Sequence, residues 1–162
     1  MTPNAAILAI RIRSEMEEIA RVVERTLRLL NKAIDSQDED YYDGVALNLH
    51  SFYTAIERIL EDIAREVDRA VPTGPEWHRD LLTQMSAAFP GTRPRVLERT
   101  SRNCLNEYRG LRHVIRKVYT FNLKPSRLQE LVTMLPGCHT SLVADLNRFC
   151  DFLETLDESH NS

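Results

Sequence analysis

Apolar residues recurring at steps of three and four, through stretches with no helix breaker, restrict this chain's fold more than any other feature. Between Ile7 and Ile34 they are Leu8, Ile12, Met16, Ile19, Val23, Leu27, Leu30 and Ile34, a spacing that lines up along one side of an α-helix. The polar joint Ser36-Gln37-Asp38-Glu39-Asp40 follows, and its acids complement the positive end of the next helix dipole. A second stripe runs through Val45, Leu49, Phe52, Ile56, Ile59, Ile63 and Val67, and the short joint predicts that these two helices lie antiparallel. Val71-Pro72-Thr73-Gly74-Pro75 ends the second helix and places Pro75 at the first position of a short one bearing Trp77, Leu81, Leu82 and Met85, closed by Phe89-Pro90-Gly91.

Pro94 is expected to open a central helix whose inner stripe is Leu97, Cys104, Tyr108, Leu111, Ile115 and Val118, running to about Tyr119. Asn122-Leu123-Lys124-Pro125 turns the chain, and Ser126 with Gln129 is a candidate capping box. The last pattern runs through Leu128, Val132, Leu135, Leu142, Leu146, Phe149, Leu153 and Leu156, with Pro136-Gly137 expected to kink or divide it. No stretch alternates apolar and polar residues with strand character. The expected fold is all-α, an antiparallel helical bundle of four long helices plus one short helix, in a single domain over 1–162 with a frayed tail at 157–162.

With 162 residues, 43% of them hydrophobic and 28% charged, the chain is long enough to bury one sizeable core and too apolar for a disordered tail. No apolar run approaches the roughly 20 residues of a membrane span. The first residues lack the basic start and apolar block of a secretory signal, so a cytoplasmic location is expected. Cys104, Cys138 and Cys150 form neither an even set nor a CxxC pair, which argues against disulfides and against zinc. The five histidines are dispersed, no HExxH or glycine-rich phosphate loop occurs, and neither a metal nor a cofactor is expected.

The net charge of −3 conceals a polarised distribution. From Arg93 to Leu128 there are ten Lys/Arg against two Asp/Glu, leaving eleven against twenty-two elsewhere. Within that basic region lies Tyr108-Arg109-Gly110-Leu111-Arg112-His113-Val114-Ile115-Arg116-Lys117-Val118-Tyr119. At about 100° per residue, Tyr108, Leu111, Ile115 and Val118 share an apolar sector, while Arg109, Arg112, His113 and Arg116 share a polar one flanked by Lys117 and bordered by Tyr119. Arginines one turn apart suit phosphodiester contacts, an imidazole can accept the 2′-hydroxyl proton of RNA, and a phenol can bond phosphate or stack on a base. A basic helix face also serves as an ordinary solvated surface, or lies against acidic helices of the same chain or an acidic partner protein.

The run Leu111-Arg112-His113-Val114-Ile115-Arg116-Lys117-Val118-Tyr119-Thr120-Phe121-Asn122-Leu123 resembles the signature helix of HEPN-domain proteins of the HepT-like ribonuclease toxin group. Similarity extends through 47–58, Asp68 and Trp77-His78-Arg79-Asp80-Leu81-Leu82. The resemblance implies a helical bundle that forms a homodimer with a shared cleft. It also implies metal-independent RNA cleavage and restraint by an antitoxin of nucleotidyltransferase fold. The family motif is Arg, four residues, His, one residue, Tyr. Here Arg112 and Tyr119 fill its ends, but Lys117 stands in the His position.

A lysine of ordinary pKa, near 10.4, is protonated at neutral pH and holds phosphate rather than taking a proton. His113, one turn earlier, is a candidate replacement. The site expected on this basis is Arg112, His113, Lys117 and Tyr119 for catalysis and Arg109 and Arg116 for RNA contact, with Tyr119 also the candidate for AMP modification by the antitoxin. The alternative is a HEPN module that binds RNA or its partner without turnover. Glu57, Asp68 and Asp80 are the carboxylates that could orient a motif arginine.

Overall fold

A computed structural model describes residues 2–117 and 124–160, with side chains at 4–112 and 124–156. Five α-helices form, α1 (Thr2–Ser36), α2 (Asp40–Ile63), α3 (Trp77–Met85), α4 (Arg99–Lys117) and α5 (Pro125–His160), with a π-helical turn at Ala64–Asp68 continuing α2. Among the described residues there is no strand, and a bridge between Phe89 and Arg93 is isolated. The all-α bundle read from the periodicity is what the chain adopts.

Helix α1 is sandwiched between α2 and α5. Arg11 near its start pairs with Asp62 and Glu66 at the end of α2, and Arg13 reaches Asn147, Asp151 and Glu154 late in α5, so α1 runs antiparallel to both. Gln37 takes a left-handed conformation (φ 56°) in the joint, and the Asp38 carboxylate accepts from the Asp40 N–H to start α2. Among the described residues most members of the expected stripes fill the core, with shifts of phase at Cys104, where Leu105 is the buried neighbour, and at the end of α1. Ala33 is buried and Ile34 is 50% exposed, because the α1 stripe drifts around the helix over so many turns.

Helix α4 lies antiparallel along α5, fixed at three levels. Ser101 and Ser141 share a hydroxyl hydrogen bond (2.6 Å), the Tyr108 hydroxyl donates to the Leu131 carbonyl (2.6 Å), and Arg127 pairs with Glu107. Burial pushes the Tyr108 phenol well above its usual range, and its ring meets Phe52 of α2 edge-on at 5.4 Å. Between these levels Cys104 and Cys138 form a disulfide, with Cα atoms 5.9 Å apart. The cysteine count argued against any disulfide, yet the register of two antiparallel helices brings together sulfurs 34 residues apart. Cys150 is free and buried, its thiol pushed up to about 11 by burial.

Several helix boundaries differ from the sequence expectation. Helix α4 begins at Arg99 rather than Pro94, because Val96 and Leu97 both donate their N–H to the Met85 carbonyl and seal the end of α3. Arg93 folds inward instead of projecting from a helix. Its guanidinium grips Asp68 through Nε (2.6 Å) and Nη2 (2.8 Å) and also donates to the carbonyls of Gln84, Ala87 and Pro94. With side chains 1% and 0% exposed, this ion pair holds the 86–98 loop against the π turn, and its bidentate geometry offsets the desolvation it costs.

The short helix begins at Trp77, two residues after Pro75, where Gly74 at φ 97° accepts the Trp77 N–H. Helix α5 already includes Pro125, which puts Ser126 inside its first turn rather than at the cap position of a capping box, and Gln129 donates through Nε2 to the Tyr42 hydroxyl. Helix α5 runs undivided through Pro136 because its neighbouring turns are anchored on α4 and α1. Its helical backbone also includes 157–160, where fraying was expected. The Asn122-Leu123 part of the expected turn lies outside the described residues.

Candidate functional site

Helix α4 faces the start of α3 across a cleft of about 560 Å³ lined by Pro75, Glu76, His78, Arg79, Arg109, Gly110 and Arg112. Gly110 gives α4 a side with no side chain here, and a Cβ built on it meets nothing within 4 Å. Arg109 sits beside this gap, half-buried, its Nε donating to Asn106 Oδ1 at 3.3 Å.

Arg112 departs from its expected solvent-facing position, with only 8% of its surface exposed. It is covered because α3 lays His78 and Trp77 across it. Arg112 Nη1 lies 2.9 Å from His78 Nε2, and its Nε lies 3.7 Å from Glu57 Oε1, an ion pair without a hydrogen bond. Glu57, 4% exposed on α2, completes the group through its Oε2, 2.7 Å from His78 Nδ1.

The proton inventory fixes the His78 tautomer. A guanidinium has only donors, so Nε2 must present its lone pair to Arg112, leaving Nδ1–H to donate to Glu57. Trp77 packs on the same imidazole with ring centroids 3.5 Å apart, and the Arg112 guanidinium carbon is 5.9 Å from the Trp77 ring centre, at the outer edge of a cation–π contact. The buried Tyr53 hydroxyl is bonded to Glu57. Desolvation first, and then the Glu57 charge, push that phenol well above its usual range, so it remains a proton donor that helps hold the carboxylate.

Of the three carboxylates considered for orienting a motif arginine, Glu57 does so. Asp68 is committed to Arg93, and half-exposed Asp80 lies near Arg79. His113, Arg116 and Lys117 lie on the last two turns of α4, and their side chains lie outside the described set, as does Tyr119 altogether. Arg109 and Arg112 are the expected site residues brought to the cleft. Sequence reasoning missed His78, although it lies in one of the segments that carried the family resemblance. Its signal was weak because it is remote from Arg112 in the chain, whereas helical periodicity relates residues only a few positions apart. Among the described residues no group of His, Cys, Asp or Glu is arranged to hold a metal.

The described residues thus form an all-helical bundle whose cleft is lined by three arginines, with Glu76 the carboxylate among its lining residues and Arg112 paired with Glu57 behind it. The chain belongs to the HepT-like protein family, of HEPN type, whose family model matches residues 44–153, from early α2 to the last turns of α5. No curated protein and no solved structure matches it.

Proposed function

We propose that this protein is the toxin-side component of a toxin–antitoxin system, a metal-independent endoribonuclease that cleaves single-stranded RNA through a 2′,3′-cyclic phosphate. The observation that carries the reading is the cleft beside Gly110, where Arg109 and the braced Arg112 flank a space large enough for a nucleotide. A guanidinium already paired with Glu57 and covered by α3 loses little further freedom on meeting phosphate. Arg112 holds the scissile phosphate, with Arg109 and Arg116 on the flanking backbone. His113, Lys117 and Tyr119 supply the remaining catalytic groups, and a second copy of the chain completes the groove as a homodimer. A nucleotidyltransferase-fold antitoxin restrains it, with Tyr119 the residue it modifies with AMP.

Lys117 in the motif His position holds charge rather than taking a proton, which slows turnover and favours, as the second reading, a HEPN module that binds RNA without cleaving it. Incubation of purified protein with single-stranded RNA in EDTA tests the two. Cyclic-phosphate ends that vanish in Arg112→Ala and fall sharply in Tyr119→Phe support the ribonuclease. Binding without new ends supports the module, and failure to bind at low salt removes both.

A further inference from the structure

The family motif places its proton acceptor at a position that this chain fills with Lys117. Across the cleft, α3 presents an imidazole that is already prepared for the task. His78 is 18% exposed, lines the cleft, and is the neutral tautomer whose Nε2 lone pair points at Arg112. Its Nδ1–H is held by a buried carboxylate, the arrangement by which an acid fixes a catalytic histidine's tautomer and stabilises the imidazolium that forms.

We infer that His78 is the general base for RNA cleavage in this protein, with Glu57 its positioning partner and Arg112 the gate on its lone pair. The assignment rests on the ribonuclease reading above. When a phosphodiester takes the Arg112 Nη1–H, Nε2 loses its donor and turns to the adjacent 2′-hydroxyl. That hydroxyl gives its proton to Nε2 as O2′ bonds to phosphorus. The P–O5′ bond breaks, the departing 5′ oxygen takes a proton from water, and the His78 imidazolium restores that proton to water. No metal, oxidant or net proton is consumed.

The charges close as well. The buried Glu57 balances Arg112 at rest, and in the transition state the new imidazolium balances the charge added to phosphorus. Bound substrate thus switches on its own base, because the contact that recognises phosphate is the one that releases Nε2.

The test uses the full chain in EDTA with end-labelled single-stranded RNA, measuring affinity and cyclic-phosphate formation separately. His78→Ala is expected to bind RNA as the wild type does while cleaving about 10²- to 10⁴-fold more slowly, and added imidazole is expected to restore cleavage. His78→Asn, which keeps a donor toward Glu57 but has no Nε2, is expected to bind and to stay inactive, with a melting temperature near that of the wild type. Wild-type cleavage rates in His78→Ala overturn the assignment and leave the ribonuclease reading standing. So does a loss in a well-folded variant that imidazole cannot recover. A wild type that binds RNA without cutting it overturns both the assignment and the ribonuclease reading.

Discussion

Glu57 carries three partners on one carboxylate, a hydrogen bond from His78 through Oε2, an ion pair to Arg112 through Oε1 and the Tyr53 hydroxyl. Glu57→Gln is therefore expected to destabilise the fold by about 3 kcal/mol, the scale for leaving a buried partner charge uncompensated, with the midpoint of urea unfolding as the readout. An unchanged midpoint would mean that Arg112 does not depend on that charge. Residues of this kind were the least legible in the sequence. Arg112 was recognisable as a functional candidate from the motif, and its burial was not, because helical phase assigned it to a polar sector. Glu57 stood as one of three carboxylates that sequence could not separate. Only the packing of α3 across α2 and α4 distinguishes it from Asp68, which is taken by Arg93.

Helices were the most legible level, since each apolar stripe is a repeating local signal and most of its members enter the core. What periodicity does not carry is the register between helices, and the Cys104–Cys138 bond is a register property. It closes a stretch that contains the whole basic end of α4. Loop-closure entropy for a separation of 34 residues gives a stabilisation of about 4 kcal/mol relative to the reduced chain. Reduction, or Cys104→Ser, is expected to lower unfolding free energy by up to that amount in a urea titration. A reduced protein of unchanged stability would mean that the α4–α5 contacts through Tyr108 and Ser101 hold the register unaided.

Along the chain the cations concentrate between Arg93 and Leu128. Part of that basic excess is structural, however. Arg93 is buried on Asp68, Arg127 pairs with Glu107 and Glu130, and Arg95 pairs with Glu98, so counting cations overstates what remains for a ligand. For the proposed RNA contact the cations to count are those lining the cleft, Arg79, Arg109 and Arg112, a sharper claim than net charge makes. Each phosphate contact on a single strand contributes roughly 0.7 to the slope of log affinity against log salt. The most direct measurement is fluorescence anisotropy of labelled single-stranded RNA, without divalent metal, across a salt series for the wild type and the double variant Arg109→Ala, Arg112→Ala. An RNA-binding cleft at Gly110 predicts weaker binding by the variant and a slope shallower by about 1.4. Equal affinity and an equal slope would contradict it.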